Sequence, residues 1–177
     1  MTFTQYFHSP LGEILLSADE TGLTGLWFEG SKYYADHLPA ACSEQETAVL
    51  TETKRWLDIY FAGREPDFLP PLHPTGSVFR QSVWRLLLQI PYGKTTTYGE
   101  IARQLAGRNG HHQMSAQAVG GAVGHNEISI IIPCHRVVGT NGSLTGYAGG
   151  IDRKVKLLEI EQVDMSRFTA SADALFG

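Results

Sequence analysis

Ile128-Ser129-Ile130-Ile131-Ile132-Pro133-Cys134-His135-Arg136-Val137-Val138 is the stretch around which the rest of the chain is organised. Four of its first five residues are β-branched isoleucines, a composition suited to a half-buried or fully buried strand. Pro133 offers no N–H to a ladder and biases Ile132 toward extended geometry. The spacing therefore predicts a strand over 128–132, with Cys134 held at a fixed spot just past its end. A thiol flanked by His135 and Arg136 has neighbours that favour its thiolate, the form that acts as nucleophile. An inert buried cysteine fits the same residues, because free cysteine is among the most buried residue types. The stretch by itself leaves both readings open.

Downstream, the residues from Asp152 to Gln162 have helical periodicity. Glu161 follows Leu157 and Leu158 by four and three positions, which puts a carboxylate on an apolar face where it needs a partner. Fraying into solvent at the helix end is the alternative. Between them, Asn141-Gly142 in the run from Gly139 to Gly150 reads as a hairpin turn, since a phosphate loop would need a lysine and a following helix. Upstream, Ser115 caps a second helical segment, Ala116 to Val123, closed by Gly124. Gly120 and Gly121 inside it cost about 1 kcal/mol each relative to alanine. Either a partner approaches this backbone closely or the helix packs tightly on the core. Thr97-Tyr98-Gly99-Glu100 is a capping box that opens a helix through Ile101, Ala102 and Leu105. The two helices suggest a helix-turn-helix, although the connection from Ala106 to Met114 is longer than the usual three or four residues.

Further back, apolar periodicity predicts a helix from Phe79 to Gln89, stopped by Pro91-Tyr92-Gly93. The proline-rich stretch Phe68 to Ser77 reads as a linker, dividing the chain into residues 1–75 and 76–177. The first third predicts antiparallel strands at Thr4 to His8, Glu13 to Ala18 and Leu23 to Phe28. A helix from Glu44 to Phe61, capped by Ser43, would cover one face of that sheet. The expected class is α/β in the α+β sense: an N-terminal antiparallel sheet with a covering helix, then a mostly helical part with a short strand before the cysteine.

The 177 residues carry a net charge of −4, which taken whole argues against a nucleic-acid partner. The distribution argues otherwise. Up to Thr75 four cations face eleven anions, whereas from Gly76 to Val163 nine cations face five anions. The part holding Cys134 is thus basic and offers a modest footprint for phosphates. No apolar run approaches the roughly 20 residues of a spanning helix, and Met1-Thr2-Phe3-Thr4 lacks a secretory pattern, so a cytoplasmic, disulfide-free protein is expected. Two cysteines, Cys42 and Cys134, in unlike contexts make no zinc site, and His111, His112 and His125 form no recognised ligand set.

The segment Pro133-Cys134-His135-Arg136-Val137-Val138, preceded by Asn126 and followed by Gly146-Tyr147-Ala148-Gly149-Gly150, resembles the active-site signature of the O6-alkylguanine-DNA alkyltransferases. The likeness runs from about Phe79 to Glu161. It implies a monomeric repair protein, without cofactor or metal, that binds double-stranded DNA carrying O6-alkylguanine, with O4-alkylthymine as a further substrate. The lesion base would be turned out through the minor groove and its alkyl group moved irreversibly to Cys134 in a single turnover. On this resemblance His135 takes the cysteine proton through a water and Glu161 holds His135. Asn126 orients the chain entering the cysteine, and Tyr98 donates to the base N3 and helps rotate the nucleotide outward. Val137, Tyr147, Ala148 and Gly149 would line the base pocket, while Thr95, Gln117, Ala118, Gly120, Gly121 and Arg136 would meet DNA. The helix holding Gly120 and Gly121 would lie in the minor groove, unlike a major-groove recognition helix.

Two positions depart from that pattern. Ala148 stands where some relatives carry serine, which removes a side-chain hydrogen bond to O6. Gln117 stands where the family has an arginine that fills the gap left by the flipped base. A neutral amide recovers less of the unstacking cost than a guanidinium does, unless Arg108 or His112 substitutes. Two rivals remain. A cysteine hydrolase using Cys134 and His135 is awkward, because neighbours on extended chain point oppositely. A lesion sensor of the alkyltransferase-like kind normally lacks the cysteine, but Gln117 keeps alive a weakly transferring version.

Overall fold

The computed structural model describes residues 1–109 and 115–169. His111 and His112 lie outside the described residues, as does the side chain of Arg108. Contacts divide the chain into one unit of residues 1–75 with 127–131, and another of residues 76–126 with 132–177. No described helix is long and apolar enough to cross a membrane.

The first unit is built on a four-stranded sheet. Strands β1 (Thr2–Ser9), β2 (Gly12–Ala18) and β3 (Leu23–Phe28) form the expected antiparallel meander. A fourth strand, β4 (Cys42–Glu44), pairs parallel with Thr2 to Thr4 and completes the order β3-β2-β1-β4. This strand displaces the expected helix start. Helix α1 spans Ala48–Phe61, and Thr47 rather than Ser43 is its cap, accepting from the Leu50 N–H at 3.3 Å. Leu50, Trp56, Leu57 and Tyr60 are buried along α1, each side chain contributing roughly 1.5–3 kcal/mol by leaving water.

The isoleucine run departs from expectation. Residues 128–132 form no strand: Ile128 makes a single parallel bridge to Leu26, and the chain then turns, with Ile130 at φ 69°. A β-branched residue in the left-handed region is strained and persists only where its surroundings impose it. Ile128, Ile130, Ile131 and Ile132 are all buried. The isoleucines thus satisfy a demand for burial, which a strand and a packed turn meet equally well.

In the second unit, α2 (Val78–Leu87) is capped by Ser77, and Trp84 donates from Nε1 to Ala122 O at 2.9 Å. A short β5 (Thr96–Thr97) pairs parallel with β6 (Val137–Val138), so the strand beside the cysteine follows it rather than precedes it. Helix α3 (Tyr98–Asn109) starts as expected, with Thr97 Oγ1 accepting from the Glu100 N–H at 3.1 Å. The Glu100 carboxylate does not close the box; it turns to Arg103. Helix α4 (Ala116–Gly124) is capped by Ser115 and buries Val119, Ala122 and Val123. Helix α5 (Ile151–Ile160) ends one residue before Glu161, which becomes its C-cap.

Candidate active site

Cys134, His135 and Arg136 occupy one turn of 3-10 helix, not extended chain. Pro133, at φ −83° and ψ 66°, makes the inverse γ-turn that leads into it, and the Cys134 N–H donates to Ile132 O at 2.8 Å. Asn126 donates from Nδ2 to the same Ile132 carbonyl at 2.8 Å, and its side chain also hydrogen-bonds the Cys134 thiol. The asparagine therefore fixes both the entry of the chain and its reactive atom.

His135 is fully buried, and its Nε2 lies 2.5 Å from Glu161 Oε2. Glu161 Oε1 accepts from Arg136 Nε at 2.8 Å and from the Gly93 N–H at 3.0 Å. Burial works to raise the Glu161 carboxyl, but the His135 and Arg136 contacts outweigh it and take the group down to about 2. Burial pushes the His135 imidazole below the ordinary histidine range against the pull of Glu161. Both directions favour a carboxylate beside a neutral imidazole. Burial also pushes the Cys134 thiol up, opposed first by the Asn126 hydrogen bond and then by the charge of Lys154.

Arg136 is placed differently from expectation. It is buried, its Nη1 donating to Ile90 O at 2.7 Å, and its guanidinium is spent on Glu161 instead of facing outward to a phosphate. A second buried cation was missed altogether. Lys154 is fully buried and donates from Nζ to Val137 O at 2.6 Å and Thr145 O at 3.1 Å. Burial lowers its ammonium to about 8, with Cys134 working against that. The signal was present: residues 154, 157, 158 and 161 share one helical face, so the periodicity that singles out Glu161 also singles out Lys154.

Tyr98 donates from its hydroxyl to Thr145 O at 3.2 Å, the carbonyl that Lys154 also holds. Burial, then the nearby Cys134, pushes its phenol up to about 12, so it remains a donor. Gly146 sits against it: at φ 77° an added Cβ would be strained and would stand 3.1 Å from the hydroxyl. Of the expected pocket residues, Val137 and Tyr147 are buried, and Ala148 and Gly149 are half-buried. A Cβ on Gly149 would come within 2.7 Å of the Tyr147 ring, so glycine there makes room for that ring.

Thr95 is half-buried beside β5, whereas Gln117 and Ala118 are exposed on the first turn of α4. A Cβ on Gly121 would meet nothing within 4 Å, and one on Gly120 only the Tyr98 ring at 3.9 Å. Close packing among the described residues therefore requires neither glycine. The described residues contain no cluster of histidine, cysteine, aspartate and glutamate suited to a metal ion.

A model of the 6-O-methylguanine DNA methyltransferase DNA-binding domain matches residues 78–163, and one of the ribonuclease-like domain of the same methyltransferase matches residues 2–74. The methylated-DNA–protein-cysteine methyltransferase of Methanosarcina acetivorans is 45% identical over 155 residues, covering 88% of this chain and 95% of its own. The protein of the same name from Haemophilus influenzae is 38% identical over 159 residues, covering 89% and 85%. The crystal structure of Mycobacterium tuberculosis OGT in complex with DNA superposes with a TM-score of 0.77 at 38% identity, covering 99% of each chain. With both domain models matched in order along its length, the chain belongs to the 6-O-methylguanine DNA methyltransferase family.

Proposed function

We propose that the protein repairs DNA by taking the alkyl group of O6-alkylguanine onto Cys134, once per molecule. The observation that carries this reading is the buried His135–Glu161 pair on the same turn as Cys134, in a family of methyltransferases named for a protein cysteine. Glu161 occupies Nε2, so a proton leaving the Cys134 sulfur is received at the other buried ring nitrogen, Nδ1. The thiolate then attacks the alkyl carbon: the S–C bond forms, the C–O6 bond breaks, and its electron pair leaves with the guanine. Tyr98 turns its hydroxyl proton from Thr145 O to N3 of the departing base, and Lys154 keeps that carbonyl satisfied while it does so. The proton held by His135 returns to the phenolate, which leaves a thioether with no easy exit.

Double-stranded DNA is the partner, a reading supported by the M. tuberculosis relative's structure in complex with DNA. The smooth outer face of α4 lies against the minor groove, with Gly120 and Gly121 admitting the sugar-phosphate backbone. The base is extruded toward Cys134, at a cost of a few kcal/mol in unstacking. Gln117, exposed at the start of α4, recovers less of that cost than an arginine. That one residue favours a second reading, in which binding to the lesion outpaces transfer. Incubating the full chain with duplex DNA containing one O6-methylguanine, followed by peptide mass spectrometry, separates the two. One added methyl on the Cys134 peptide supports repair; retention of the lesion in a stable complex, with Cys134 unmodified, rejects it for the sensor.

A further inference from the structure

The reading of Cys134 as acceptor leaves Arg136 without a role, yet few groups in the molecule are held so completely. We infer that Arg136 is a positioning residue for the transfer step: its guanidinium fixes Glu161 as a permanently charged partner, so that His135 rests neutral and can receive the Cys134 proton. The inference rests on the transfer reading, but its test does not need DNA.

The geometry is a clamp. Two adjacent residues of one turn, His135 and Arg136, hold opposite oxygens of one carboxylate, at 2.5 Å and 2.8 Å. The far end of Arg136 is tied to Ile90 O, and Gly93, three residues on, donates its own N–H to Glu161 at 3.0 Å. The Tyr92 ring lies between these ties, its centre 5.8 Å from the Arg136 guanidinium carbon. Cys134 comes from the same 3-10 turn and Tyr98 from α3. Lys154, from α5, spends its ammonium on Val137 O and Thr145 O. Gly93 contributes only a dipole, so Arg136 is the permanent cation bonded to Glu161 among the described contacts.

Counting charge shows what this does. Guanidinium, carboxylate, neutral imidazole and thiol sum to zero, beside a Lys154 ammonium whose charge does not change in the transfer. Passing the Cys134 proton to His135 conserves that sum within the site, so thiolate forms without exchange with solvent. With the guanidinium gone, the buried carboxylate loses its bonded cation, while the Lys154 ammonium stays committed to Val137 O and Thr145 O, and the pair relieves that charge by taking up a proton at His135. His135 then rests as imidazolium and cannot receive another. The thiol must release its proton to solvent, and the rate becomes dependent on pH.

The test uses the full chain with Cys42→Ser, which removes the exposed cysteine. Alkylation of Cys134 by iodoacetamide is timed between about pH 5.5 and 7, below the range in which Lys154 titrates. With Arg136 in place the rate should change less than about twofold. In Arg136→Gln it should fall and then climb by nearly tenfold per pH unit, the slope of a single proton. Arg136→Lys, which keeps a charge, should restore the flat profile even if its rate is lower. A flat profile in Arg136→Gln with only a lower rate marks a structural role and overturns the proposal. If that variant does not fold, the profile with Arg136 present decides, since a rise of about tenfold per unit there overturns the proposal too. Methyl transfer from duplex DNA is measured alongside. Its absence with a flat iodoacetamide profile rejects the repair reading alone.

Discussion

The surroundings of Cys134 and the outer face of α4 belong to the same unit and are built on opposite terms. Around the cysteine nearly every polar atom is committed: Asn126 to Ile132 O and the thiol, Glu161 to three donors, Lys154 to two carbonyls. On α4 the exposed residues are Ser115, Ala116, Gln117, Ala118 and Gly121, with short or absent side chains except for one amide. A reaction that must form a thiolate in a buried place needs dipoles and charges fixed in advance. A surface that must lie along any sequence of DNA needs little more than a shape. Substitutions at the first should change rates steeply, and substitutions at the second should change them mildly.

The steepest loss is expected from Glu161→Gln, which leaves Arg136 without its anion and His135 without its orienting partner. Transfer should fall by roughly a hundredfold or more in single-turnover kinetics. The same variant carries a stability signature. With its carboxyl at about 2 in the fold against an ordinary 4.5, Glu161 contributes stability that is complete above about 4.5 and lost as pH falls through about 2. Acid unfolding followed by circular dichroism should therefore be less steep across that window in Glu161→Gln.

Lys154→Met ranks next. It leaves Thr145 O without its second donor once Tyr98 turns away, and a loss of transfer on the order of tenfold to a hundredfold is expected. Because Lys154 titrates at about 8 rather than its ordinary 10.5, the native protein gains stability as pH rises from about 8 toward 10.5. Thermal melts at alkaline pH should lose that gain in the variant.

Gln117→Arg should act in the other direction and more gently, raising transfer on duplex DNA by up to roughly tenfold with no effect on a free alkylated base, because only extrusion is helped. No gain on duplex DNA would mean that another residue already fills the stack. Gly121→Ala is the mildest. Alanine has room and favours helix by about 1 kcal/mol, so thermal stability should rise while DNA affinity falls. If both rise, the glycine is not there for the DNA backbone.

The same contrast explains what the chain disclosed before its structure. The three meander strands and the Thr97 cap were legible because alternation and capping are local rules. Cys134, His135, Asn126 and Glu161 stood out through a motif and a carboxylate on an apolar face, and the structure pairs His135 with Glu161 and Asn126 with Cys134. The turn at 128–132 was not legible: isoleucine signals burial, and nothing in Ile-Ser-Ile-Ile-Ile marks Ile130 for a positive φ. Arg136 was assigned to DNA on the family resemblance, and its carboxylate partner, 25 residues away in sequence, gave no local signal of the pairing. β4 escaped notice because three exposed residues have no pattern of their own and owe their extended form to β1.

The central claim is that one sulfur accepts one alkyl group and is then spent. It is tested most directly by titrating duplex DNA containing O6-methylguanine with increasing amounts of protein and counting the lesions that remain. The account predicts that loss stops at one lesion per chain, and that Cys134→Ser removes none. Clearance by Cys134→Ser, or continued loss beyond one lesion per chain, would contradict it.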